Sequence, residues 1–263
     1  MRFSVDSAPT FLHDWPSFLL SYISMKPIVI LKVGDTFADL AQQSGDFENW
    51  IEKGLGKLNA PVTVIDPRIA PLPSYEEIAG AVITGSHAMV TDRAVWSEAL
   101  AVWLRAAVEK EVPVLGICYG HQLLAHALGG QVDYHPNGIE IGSVHVNKTA
   151  AATDDPLFHD MPAEFMAHVV HSQSVRALPP NAVLLAKNGF EQHHAYRIGQ
   201  NAWGVQFHPE FDHHAMGTYI EKLSDHLKEK GADITTLQSQ LAYTQAASGI
   251  LHKFAKLAEN RIN

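Results

Sequence analysis

From Pro27 to Val33 the chain reads PIVILKV, apolar almost without interruption, and stops at Gly34-Asp35. A run this short and continuous predicts a strand buried on both faces. Similar runs recur as PVTVID (61–66), GAVIT (80–84) and VPVLGI (112–117). Between them the period changes. Phe47, Trp50, Ile51 and Leu55 share one helical face, as do Trp96, Ala99, Leu100, Trp103, Leu104 and Ala107. Alternating strands and helices predict an α/β fold, three-layered, with a mostly parallel central sheet and flanking helices.

After Gln131 the pattern shifts. IEIGSVHVN, AEFMAHVVH, NAVLLAKN, HHAYRIG and NAWGVQF are shorter runs separated by turn residues. They predict further strands, some antiparallel, added to the sheet. From His213 the reading is helical, through MGTYIEKLSDHLKEKG and then ITTLQSQLAYTQAASGILHKFAKLAENR. These C-terminal helices either cover the domain or make a dimer contact. The expected division is an N-terminal extension over 1–24, the domain proper over 25–212, and a helical extension packed on it over 213–263.

Composition narrows the function. With 263 residues and 46% hydrophobic content the chain can bury a full core. A formal charge of -9 argues against broad nucleic-acid or anionic-membrane binding. The single cysteine excludes an internal disulfide and a thiolate-rich metal site, and fits a reducing cytoplasm that leaves the thiol free for chemistry. No run has the length of a membrane-spanning helix. The opening MRFSVDSAPTFLHDWPSFLLSYIS holds one apolar patch, FLLSYI, too short and interrupted for a secretory signal. Residues 1–24 therefore read as an accessory extension, or as a start placed too early.

The lone Cys118 stands in VLGICYGHQLLAHALGG (114–130), between Gly116 and Gly120. Strand, glycine-flanked turn and helix make a nucleophile elbow, whose strained turn needs small neighbours. The helix N-terminus favours an anionic nucleophile there, and the N–H of Tyr119 would face a developing oxyanion. Taken alone, the pattern equally fits a buried structural cysteine. A base is sought among 16 histidines. WGVQFHPEF (203–211) places His208 at the end of an apolar strand, where α/β folds gather their chemistry, and Glu210 two residues on could hold the ring's other nitrogen. Taken alone, this segment also reads as a strand-ending His-Pro turn. The His193-His194 and His213-His214 pairs lack metal-site spacing and read as exposed loop residues. His121 and His126 read as structural or rim residues, and Asp35, Thr36 and Asp39 as loop and cap residues, with pocket lining as the lesser alternative.

Together the two segments say more. GICYGHQLLAHALGG, followed roughly 90 residues later by GVQFHPEF, resembles the class I glutamine amidotransferases, including the glutaminase domain of GMP synthase. The resemblance runs from Pro27 to Phe211 and takes in two further segments, VITGSHAMV (82–90) and VVHSQSV (169–175). It implies a flavodoxin-like sheet, with Cys118 as nucleophile, His208 as base and acid, and Glu210 as orienting carboxylate. It also implies an oxyanion hole from the N–H of Tyr119 and one from the Gly85-Ser86 turn. Gln122 would hold the substrate's amino-acid end, with His171, Ser172 and Gln173 lining the same pocket. Two departures stand out: Gly85-Ser86-His87 lacks the proline that the family carries in this loop, implying a freer loop, and Gln173 stands where many relatives have aspartate.

The implied reaction hydrolyses the glutamine side-chain amide through a γ-glutamyl thioester on Cys118, releasing glutamate and ammonia without a cofactor or metal. The chain has no room for an ATP-dependent module and no Gly-x-x-x-x-Gly-Lys-Ser/Thr motif, so a synthase would be a separate polypeptide. Hydrolysis of other γ-glutamyl amides is the alternative activity. A non-catalytic binding protein is a third reading, disfavoured by the intact Cys118, His208 and Glu210.

Overall fold

The computed structural model describes residues 25–260; the extension expected over 1–24 lies outside the described residues. The four apolar runs of the first half become β1 (Ile28–Leu31), β2 (Val62–Ile65), β3 (Gly80–Ile83) and β4 (Val114–Ile117). Helices α1 (Ala38–Ser44) and α2 (Phe47–Leu55) follow β1, α3 (Val95–Glu109) precedes β4, and α4 (Tyr119–Ala127) follows it. The second half supplies β5 (Gln131–Tyr134), β6 (Glu140–Lys148), β7 (Glu164–His171), β8 (Gln173–Ala177), β9 (Val183–Lys187), β10 (Ala195–Ile198) and β11 (Ala202–Val205).

Nine strands form one sheet in the order β2-β1-β3-β4-β11-β10-β9-β6-β7. The first five run parallel and the last four antiparallel. The three-layer, mostly parallel architecture and the added antiparallel strands therefore follow the sequence pattern. β2 departs from it: as the sheet edge it is only half covered, leaving Val64 43% exposed. A separate two-stranded ladder, β5 with β8, is not evident from the pattern and carries the VVHSQSV segment toward the site.

The two C-terminal helical segments separate where the sequence divides them, and each is further broken into two helices. The helices are α5 (His213–Lys222), α6 (Ser224–Glu229), α7 (Ile234–Ser239) and α8 (Gln245–Asn260). Asp233 restarts the chain as the N-cap of α7, its carboxylate accepting from the N–H groups of Thr235 and Thr236. α8 packs against α2, β1, β3 and β7, with Ile250, Leu251, Phe254, Ala255 and Ala258 fully buried. It thus covers one sheet face, while α3 and α4 cover the other. α5 and α7 instead join a smaller cluster with α1 and α2, including Leu40, Phe47, Phe211, Met216 and Tyr219.

Candidate active site

Parallel strands leave their C-terminal ends free for chemistry, because helices begin there and side chains converge from neighbouring strands. β4 ends at Ile117 and Cys118 follows with φ 48° and ψ −96°, a left-handed backbone that non-glycine residues seldom adopt. Its N–H is held by the Val205 carbonyl of β11 at 2.9 Å, so the sheet itself sustains the strain. Both flanking glycines are sterically required. A Cβ at Gly116 would collide with the Gly120 carbonyl, and one at Gly120 would lie 2.7 Å from the Ile83 carbonyl of β3. Gly116→Ala is accordingly expected to cost about 1–3 kcal/mol or more. Urea denaturation checks this, and an unchanged midpoint would contradict the packing account.

His208 lies beyond β11, which ends three residues earlier than the apolar run suggests. Its position is fixed instead by its N–H, which donates to the His168 carbonyl of β7 at 2.8 Å. The ring donates from Nδ1 to Glu210 Oε1 at 2.8 Å. Phe211 stacks on it at 4.1 Å between centroids, and Phe47 lies nearly parallel at 6.4 Å. Phe47 is positioned by Asp46, which caps α2 in a reciprocal box with Asn49 and is tied to β1 through Lys32 Nζ at 2.9 Å. Burial, the largest influence on His208, favours the neutral ring. The charges of Glu210 and then Cys118 outweigh it and push the pKa up to about 10. Nε2 is buried and bonded to no oxygen or nitrogen, and the ring's further interaction is with Cys118.

Cys118 Sγ lies 3.7 Å from the Val170 carbonyl oxygen. Gly85 borders both groups: a Cβ there would sit 3.0 Å from His208 Cε1 and 3.9 Å from Cys118 Cβ. The loop after β3 has no proline, yet side-chain contacts fasten it. Thr84 Oγ1 donates to the Gly85 carbonyl at 2.8 Å and accepts from the Val33 N–H at 3.0 Å. The Ala88 N–H donates to Ser86 Oγ at 3.1 Å, and Gly34 backs the loop so closely that a Cβ would lie 2.6 Å from Ser86 Cα. With its carbonyl turned to Thr84, the Gly85-Ser86 peptide presents the Ser86 N–H on the opposite side. Tyr119 opens α4, so its own N–H has no partner within the helix.

These groups surround one cavity of about 340 Å³. Of the residues singled out from sequence, Ser86, Cys118, Tyr119, Gln122, His171, Ser172, Gln173 and His208 line it. Gly85 abuts the ring, and Glu210 stands behind it, outside the lining. One end is polar. Gln122 Nε2 donates to the Gln173 carbonyl at 2.8 Å, and Gln173 Nε2 donates to Thr91 Oγ1 at 2.5 Å. His171 faces acceptors through both nitrogens, the Gln173 carbonyl at 3.0 Å and Glu140 Oε2 at 2.8 Å. Burial alone would raise the Glu140 carboxyl, but its bonds to His171 and His194 hold it well below the usual carboxylate range.

The other end is aromatic and was not legible as a site. Phe37, Phe47, His87 and Tyr219 line it, with Leu223 and His226 from the C-terminal helices. The Tyr219 hydroxyl bonds to Thr36 Oγ1 at 2.9 Å and His87 Nε2 at 3.1 Å. Thr36, read as a loop residue, thus braces the cavity wall. The first histidine pair is also corrected: His193 is half-buried with Nδ1 on the Val175 carbonyl, and His194 is fully buried beside Glu140, whereas His213 and His214 are exposed as expected but lie on α5 rather than in a loop. Among the described residues no group of three His, Cys, Asp or Glu is arranged to hold a metal ion.

A family model described as glutamine amidotransferase class-I matches residues 41–226. A subunit of the glutamine-hydrolyzing GMP synthase of Methanococcus aeolicus is 29% identical over 187 residues, covering 70% of this chain and 93% of that protein. Gamma-glutamyl peptidase 4 of Arabidopsis thaliana is 29% identical over 174 residues, 65% of this chain and 69% of that protein. A glutamine-hydrolyzing GMP synthase of Thermomicrobium roseum is 40% identical over 113 residues, 43% of this chain, which spans 20% of that longer protein. In fold, the chain is similar to a glutamine amidotransferase of Thermotoga maritima, with TM-score 0.69, 23% identity, and 88% of this chain and 98% of that one covered. It is similar also to a glutamine amidotransferase of Methylobacillus flagellatus, with TM-score 0.66, 24% identity, and 90% and 94% covered. The family match spans well over half of the sequence and contains both the Cys118 and the His208 segments, and the chain belongs to the class I glutamine amidotransferases.

Proposed function

We propose that the chain is a cysteine-dependent amidase that cleaves the γ-carboxamide of glutamine or a γ-glutamyl compound. The observation that carries this reading is the strained Cys118 at the head of α4, sharing one cavity with a His208 whose Nδ1 is engaged by Glu210 and whose ring also interacts with Cys118. The Cys118 thiolate attacks the amide carbon. The resulting oxyanion accepts from the N–H groups of Tyr119 and Ser86. Nε2–H of His208 protonates the departing nitrogen, the C–N bond breaks, and a γ-glutamyl thioester remains on sulfur. Water deprotonated by His208 then hydrolyses the thioester to glutamate and restores the thiolate. Gln122, His171, Ser172 and Gln173 hold the glutamyl end.

Thr84 enters this account as the residue that orients the second oxyanion donor. Thr84→Val is expected to lower kcat roughly tenfold or more with little change in KM, because the Gly85 carbonyl loses its anchor. Steady-state kinetics checks it, and an unchanged kcat would remove Thr84 from the mechanism.

With glutamine as substrate the product is ammonia, which we assign to a synthase on a separate polypeptide. The match over nearly the whole length of a GMP synthase subunit from Methanococcus aeolicus supports this. The aromatic end of the cavity and the similarity to gamma-glutamyl peptidase 4 favour substituted γ-glutamyl amides as the second reading. Purified protein is expected to release glutamate and ammonia from glutamine in equal amounts. Failure to release glutamate from glutamine and from γ-glutamyl amides alike would refute the reading.

A further inference from the structure

The two ends of the cavity bear differently on the substrate. Whatever lies on the His208 side of the scissile carbon is the leaving group, since its nitrogen must reach Nε2 to collect a proton. The wall on that side is aromatic. Phe47 lies parallel to the His208 ring and touches His87 at 6.5 Å between centroids, while His87 packs on Phe37 at 5.0 Å and Tyr219 at 5.8 Å. Phe37 and Tyr219 are themselves 4.9 Å apart. The polar atoms of this wall are largely turned on one another: the Tyr219 hydroxyl bridges Thr36 and His87. Burial, then the charge of His208, lowers the His87 pKa and keeps that ring uncharged near neutrality. What the wall offers a ligand is mostly ring and aliphatic surface, extended by Leu223, with the exposed His226 beside it. Free ammonia uses none of it.

We propose that the leaving side of the cavity accommodates an apolar or aromatic substituent on the amide nitrogen, so that the preferred substrates are N-substituted γ-glutamyl amides and glutamine is the lesser one. The proposal rests on the reading of Cys118 as nucleophile and His208 as proton donor. In balance, the sulfur bonds to the γ-carbonyl carbon, the bond from that carbon to nitrogen breaks, and Nε2 gives its proton to the departing amine. Water then replaces the sulfur, so one water is consumed and one glutamate and one primary amine are formed.

The test compares γ-glutamyl benzylamide, γ-glutamyl methylamide and glutamine with purified protein, following glutamate release. Both substituted substrates expel alkylamines, so their ratio reads the contribution of the phenyl group. The benzylamide is expected to exceed both the methylamide and glutamine in kcat/KM by about tenfold or more. Phe37→Ala, and separately Leu223→Ala, should bring the benzylamide-to-methylamide ratio toward one; both side chains are only partly buried, so either variant can stand in if the other fails to fold. Glutamine turnover equal to or faster than that of the benzylamide, with a ratio indifferent to both substitutions, would overturn the proposal and leave the amidase reading intact. No glutamate from any of the three would overturn both.

Discussion

Replacing Cys118 with alanine is expected to abolish glutamate release, with a loss of about 10⁴-fold or more in kcat, while the fold is retained. The size follows from the role: no other thiol exists in the chain, and removing a covalent nucleophile leaves only binding and the oxyanion donors. Retention of the fold follows from the contacts. Beyond its interaction with His208, the side chain makes one long contact to the Val170 carbonyl, and the backbone strain at φ 48° is held by the Val205 carbonyl, which alanine preserves. The checks are glutamate release and a denaturation curve on the same preparation. Turnover within tenfold of wild type in the folded variant would remove Cys118 from the chemistry.

The second large effect is expected at Glu210. Glu210→Gln keeps the shape but removes the charge that does most to offset the burial of His208. A loss of roughly 10²- to 10⁴-fold in kcat/KM is expected, with the alkaline limb of the pH profile moving down by roughly one unit or more. The sign is set by the direction of the shift. His208 is raised from 6.5 to about 10 in the folded protein. Its contribution to stability is therefore complete below pH 6.5 and disappears as pH rises through about 10. Denaturation at pH 6 should show a larger stability gap between wild type and Glu210→Gln than denaturation at pH 10. A gap that widens with pH, or an unmoved alkaline limb, would contradict the assignment.

The elbow could be read in the sequence because its constraint is local and steric. Only glycine fits at 116 and 120, so the spacing around Cys118 is dictated by the turn itself. His208 and Glu210 are two residues apart, and one short segment carries both the ring and its carboxylate partner. The alternation of strand and helix likewise follows from local period. The aromatic wall was hidden for a different reason. Phe47 belongs to an amphipathic helix face, and its periodicity is the same whether that face meets a core or a cavity. Tyr219 reaches the site from α5, where it meets Thr36 across 183 residues of chain. His194 and Glu140 pair across the antiparallel half of the sheet, so a histidine that reads as a loop residue is buried. The break between α6 and α7 is local, set by the Asp233 cap, whereas those between α5 and α6 and between α7 and α8 are not marked by helical periodicity.

The central claim is that sulfur at position 118 carries the acyl group during turnover. Acid-quenching the protein during hydrolysis of a γ-glutamyl amide and analysing its peptides by mass spectrometry addresses it directly. The account predicts a γ-glutamyl adduct confined to the peptide containing Cys118, and its absence from the Cys118→Ala protein. Sustained glutamate release with Cys118 found unmodified, and an acyl group on another residue, would contradict it.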